Sequence, residues 1–184
     1  MFRILATTAA FALASPALAD DVTDTLQSAI DAYSEGDIAY ALEEIAFATQ
    51  LIKAQKAGAL NAFLPEAQAG WTREIDEDEG RSLGMMGGTG AVARYSNGDD
   101  SFNIQIMADS PMIAGFAGVF GNAGMMATMG KIERVGREKF LNQDGELTGI
   151  VAGRILVQAS GGDVDTMIAH LEAMDFKGLA GFGS

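Results

Sequence analysis

Methionine is the residue type whose number and spacing could do chemistry in this chain. Seven of its ten methionines fall between positions 85 and 129: Met85, Met86, Met107, Met112, Met125, Met126 and Met129. A thioether is a soft ligand suited to Cu(I). Met126 and Met129 are three residues apart and share a face if the segment is helical. Met85 and Met86 sit in a glycine-rich stretch that could close over them. On that reading Met85, Met86, Met125, Met126 and Met129 make a Cu(I) site. The competing reading, which we place first, is apolar packing. Methionine is also the adaptable filler of cores and of grooves that accept many partners, and the chain has no Cys and a single His to assist a metal.

Other chemistry finds few residues to work with. His170, the one histidine, lies at Ala169-His170-Leu171 in an amphipathic pattern and reads as a helix residue, not a catalytic base. There is no H-E-x-x-H. Gly84-Met85-Met86-Gly87-Gly88-Thr89-Gly90 lacks both a preceding strand and a following Lys-Ser/Thr, so it reads as a flexible loop and not a phosphate cradle. Gly124 and Gly130-Lys131 miss the Walker A spacing by one residue. The acidic run Glu74, Asp76, Glu77, Asp78, Glu79 has no EF-hand spacing and reads as a solvated loop. Carboxylates alone could still act as acid and base, but nothing selects two of the 25. The expectation is a protein that is not an enzyme, with no catalytic residue and no cofactor.

The methionines point to the stretch that must position them. Met112 to Gly130 carries no charge, and glycine recurs every third residue at Gly115, Gly118, Gly121 and Gly124. Three readings compete. A glycine face could let a buried helix lie close to a sheet; the run could be a mobile apolar lid; or its roughly 20 apolar residues could engage a bilayer. Soluble-looking strands flank it on both sides, which favours the packed helix. Glycine costs about 1 kcal/mol per helical position relative to alanine, so such a helix needs tertiary contacts. The candidate surface for a protein partner or small apolar ligand is Gly115, Gly118, Phe120 and Gly121, with Trp71, the only tryptophan, at the edge of the core.

The chain begins with Arg3, an apolar stretch from Ile4 to Ala14, and Ala17-Leu18-Ala19 before Asp20. That is the pattern of a cleavable signal peptide over 1–19, and the expected address is a bacterial periplasm. The formal charge is −13, which makes nucleic acid and anionic headgroups poor partners. Membrane contact is therefore a lesser alternative.

From 20 to 60 apolar residues recur at three- and four-residue spacing, broken at Glu35-Gly36-Asp37, which predicts a helical hairpin. Ala29, Tyr33, Gly36, Asp37, Ala41 and Ala48 resemble the small and aromatic positions of a single tetratricopeptide unit. The resemblance implies a packing geometry and a protein-interaction role, while one unit cannot form a solenoid.

A linker at 61–70 is expected, then an α+β domain over 71–176 and a loose tail over 177–184. Alternation and turn residues predict strands at Trp71 to Ile75, Ala91 to Tyr95, Ser101 to Ala108, Lys131 to Arg137, Lys139 to Gln143, Leu147 to Ala152 and Arg154 to Ala159. Asp163 caps a closing helix through Met174. The fold class expected is α+β: a helical hairpin, then an antiparallel sheet with the Gly/Met-rich helix and a C-terminal helix packed on it. The element order from Trp71 onward looks PsbP-like, and that resemblance implies an accessory or binding role.

Overall fold

The structure is a computed structural model and describes residues 21–85 and 87–183. The expected signal peptide and Met86 lie outside the described residues. Two compact units divide at Leu51–Ile52.

The first unit is helical. α1 (Asp21–Glu35) ends where Gly36 turns left-handed at φ 89°, and α2 (Ile38–Asn61) follows at once. The Asp37 carboxylate accepts from the Tyr40 amide at 3.1 Å and caps α2 as expected. Of the periodic apolar residues only the small ones are inside: Ala29, Ala41 and Ala48 are buried, with Ala32, while Leu26, Ile30, Tyr33, Leu42 and Ile45 are exposed.

The second unit is a seven-stranded, wholly antiparallel sheet in the order β1-β2-β3-β7-β6-β5-β4. The strands are β1 (Thr72–Ile75), β2 (Thr89–Ser96), β3 (Ser101–Ala108), β4 (Lys131–Val135), β5 (Glu138–Gln143), β6 (Glu146–Val151) and β7 (Ile155–Ser160). Two meanders, β1 to β3 and β4 to β7, are joined by the β3–β7 ladder, with Ile104 opposite Ala159 and Ile106 opposite Val157. This is the α+β class the sequence predicts.

One face of the sheet carries the main core: Ala91, Ala93 and Tyr95 of β2, Phe102, Ile104 and Ile106 of β3, Val157 and Ala159 of β7, and Phe140 of β5. Against these lie Met167 and Leu171 of α6 (Val164–Glu172), Leu179 of α7 (Phe176–Ala180), and Leu60 and Leu64. The tail expected to be loose is therefore structured through Phe182, because Leu179 and Phe182 have apolar partners to bury against. The expected linker also belongs to the core. Arg73 donates to the Leu64 and Pro65 carbonyls, and the buried Tyr95 hydroxyl donates to the Pro65 carbonyl at 2.6 Å.

Val92, Met107 and Leu141 are buried on the opposite parity of their strands. The acidic run expected as a loop opens α3 (Glu77–Met85) instead. Asp76 caps it by accepting from the Glu79 amide at 2.9 Å, and carboxylates in a first turn complement the helix dipole. α3 lies against β2 where Gly80 meets Gly90; a Cβ on Gly90 would stand 2.5 Å from the Gly80 carbonyl oxygen. The glycines that looked like a flexible loop thus include a close backbone contact.

Candidate functional site

The connection from β3 to β4 has to travel past β7, β6 and β5. At about 4.8 Å per strand that is roughly 19 Å, and the charge-free run makes the journey as two helices, α4 (Pro111–Phe120) and α5 (Ala123–Met129). Ser110 caps α4, with Pro111 at the first helical position. Gly121 closes α4 with its N–H on the Ala117 carbonyl, and the Asn122 N–H takes the Val119 carbonyl. Asn122 then opens α5, its side chain accepting from the Gly124 and Met125 amides at 2.9 and 3.3 Å. The two helices meet at a bend of 97°. A Gly-Asn pair inside an apolar run is a break signal legible in the sequence, and it was missed in favour of one helix.

α4 contacts β6, and α5 contacts β4 and β5. Only Ile113 and Met126 are buried anchors. Met112 is 54 % exposed and Met129 45 %, with Phe116 and Met125 between them. The run predicted to be tucked inside is thus mostly at the surface. Of its glycines Gly130 packs closely, a Cβ there running into the Asn142 carbonyl of β5, but a Cβ on Gly115 or Gly118 would meet no atom within 4 Å, and one on Gly121 would meet only its own helix. Phe120 is half-buried beside them. Gly115, Gly118, Phe120 and Gly121 therefore lie together on this connection, whereas Trp71 lies elsewhere.

Trp71 belongs to an aromatic box around His170. The imidazole centroid is 5.5 Å from Trp71, 5.1 Å from Tyr95 and 4.9 Å from Phe102. His170 is buried, not at the surface. Its Nε2 accepts from the Gln68 amide at 3.3 Å, which leaves Nδ1 to donate to the Thr166 carbonyl at 2.9 Å. Burial drives the Tyr95 phenol above its ordinary ionisation range. This is a core cluster in which both ring nitrogens of His170 have partners, with Trp71 half-buried.

The entry to α4 is fixed by residues that sequence reasoning passed over. Asp109 adopts a left-handed backbone at φ 57°. Its carboxylate takes Lys56 at 3.0 Å and Arg154 at 2.8 Å. Arg154 also donates to the Ala180 and Phe182 carbonyls, and the Lys56 ammonium stands 5.7 Å from the centre of the Phe182 ring. Partial burial opposes the charge on Asp109, but hydrogen bonds from Lys56 and Arg154 outweigh it and hold the carboxyl below the usual value.

The methionines of the described residues differ widely in exposure. Met126 is fully buried, Met125 and Met129 are about half exposed, and Met85 is 80 % exposed at the end of α3. Among the described residues no three His, Asp or Glu side chains group as a metal site. A cavity lined by Glu74, Asp76, Glu77, Asp78 and Arg94 lies at the start of α3, where the carboxylates serve the helix terminus. Chemically, what distinguishes the α4–α5 surface is apolar area free of charge. Comparison with known family models, curated proteins and solved structures returns no match, so the tetratricopeptide and PsbP-like resemblances rest on residues and element order alone.

Proposed function

We propose that the protein is an exported, non-enzymatic accessory protein that docks on an apolar surface of a second protein through α4 and α5. The observation that carries the reading is the exposure of Met112, Phe116, Met125 and Met129 on a run from 112 to 130 without one charged residue. Exposed contiguous apolar surface in an otherwise acidic chain marks an interaction site, and methionine side chains re-pack readily on a partner. A photo-crosslinking residue in place of Phe116 is expected to give a discrete protein adduct in cells, absent when the crosslinker replaces the exposed Lys139. Equal labelling from both positions overturns the proposal.

A bilayer surface is the second reading. No single described helix is long and apolar enough to cross a membrane, but α4 and α5 together have the composition of a span. At 1.5 Å per residue they are about 15 and 10 Å long, against a hydrocarbon core of about 30 Å, so on this reading they lie within the interface. Of the nearest cations, Lys131 is paired with Glu133, and Lys56 and Arg154 with Asp109. Attraction to anionic lipid is therefore weak. Adducts to lipid instead of protein from position 116 favour this reading over the first.

A further inference from the structure

In the first unit the side chains that fold away are small and those left outside are large. Val22, Thr25, Ala29 and Ala32 of α1 and Ala41 and Ala48 of α2 are buried. About the turn at Gly36–Asp37 positions equally far along the two helices match in burial: Ala32 and Ala41, Thr25 and Ala48, and Val22 and the half-buried Leu51. Outside lie Leu26, Ile30 and Tyr33 on α1 and Ile38, Leu42 and Ile45 on α2, between 40 % (Leu26) and 69 % (Tyr33) exposed. Each trio has four-then-three spacing, the a/d stripe of a helix that meets other helices.

The two stripes share one side of the hairpin. A cleft between the helices is lined by Asp24, Ser28, Asp31 and Glu35 of α1 and Tyr40 of α2. At 100° per residue the α1 stripe is about 160° round its helix from the cleft residues, and the α2 stripe likewise about 160° from Tyr40. Both stripes therefore open away from the cleft.

We propose that this side is the contact between two copies of the chain, closed as a two-fold four-helix bundle of α1 and α2 from each. The six side chains offer about 650 Å² per copy, within the roughly 600–1,000 Å² that each partner contributes to a stable interface. The charge pattern fits a second copy better than a cationic partner. Residues 21–51 carry seven carboxylates and no cation. A basic partner would be selected by carboxylates lining the contact, and here none interrupts either stripe. With the stripes apposed, the α1 carboxylates on the cleft side point outward and their mutual repulsion acts across water. The surface is separate from α4–α5, so this contact stands or falls independently of the docking function proposed above.

The test is sedimentation equilibrium of the full-length gene product, purified as the cell leaves it after N-terminal processing. A dimer is expected at about 10 µM. The double variant Ile30→Asp, Leu42→Asp is expected to weaken it by about 100-fold or more, with Trp71 emission unchanged to show the second unit intact. Phe116→Asp on α4 is expected to remain dimeric. Because the chain has no cysteine, Leu42→Cys and Asp24→Cys give a second readout that needs no disruptive change. Position 42 should join two copies through a short bis-maleimide, and position 24, on the cleft side, should not. A wild-type monomer at about 100 µM, equal linkage from both positions, or a dimer lost with Phe116→Asp overturns the proposal.

Discussion

Asp109 shows how a single carboxylate can hold a segment boundary. It pins the end of β3 to α2 through Lys56 and to the C-terminal residues through Arg154, and does so from a left-handed backbone that non-glycine residues seldom adopt. The three side chains are about a third exposed, so solvent screening keeps the two pairs to about 1 kcal/mol. Its carboxyl is held below the ordinary 3.8. That stabilisation is complete above the unfolded-state value and is lost as pH falls through the folded one. Thermal melting between pH 6 and 2.5 should therefore show a larger loss below about pH 4 for wild type than for Asp109→Asn. His170 is the other residue with a specific duty. Removing its ring leaves the Gln68 N–H and the Thr166 carbonyl without those bonds beside Trp71, Tyr95 and Phe102. His170→Ala should cost about 3 kcal/mol, read from the urea midpoint at unchanged slope.

Among the elements, α4 is the one least supported by its own composition. It holds Gly115 and Gly118 at helical, fully open positions, where alanine would meet nothing. If packing were their reason, alanine would clash. Since nothing is close, each Gly→Ala change should stabilise α4 by about 0.5–1 kcal/mol, seen as slower amide exchange across 113–120. A drop in crosslinking from position 116 in Gly118→Ala would mean that the partner's backbone comes close to this glycine. α3 gives the contrary case. Gly80 and Gly90 are at van der Waals limit against each other, and a side chain at Gly90 has to push the helix off the strand.

Among the described residues most exposed large apolar side chains lie on the α4–α5 connection and on the helical hairpin, with Met85 apart from both. The connection is free of charge and the hairpin carries its carboxylates off the stripes, and in both the buried residues are fewer or smaller than the exposed ones. That combination is costly for a free monomer and explicable for a protein that works within an assembly. The β3–β7 ladder explains why the middle connection must be long: it places β4 at the far edge from β1, so the chain crosses the sheet between its two meanders.

The α+β class, every strand, the hairpin turn and the closing helix were legible in the sequence, because alternation, left-handed glycines and side-chain caps act within a few residues of where they are read. Phe102, Ile104 and Ile106 alternate, Asp144-Gly145 turns, and Asp163 caps whatever the rest of the chain does. Which apolar face is covered was decided only by tertiary structure. Periodicity marks a stripe as apolar but says nothing of what is available to bury it. In the hairpin the alanines took the inside and left Leu26, Ile30 and Leu42 out, and in the crossover two buried anchors, Ile113 and Met126, hold a nineteen-residue run that is mostly exposed. Burial of those residues depends on partners distant in sequence, or in another molecule, and local pattern carries no record of them.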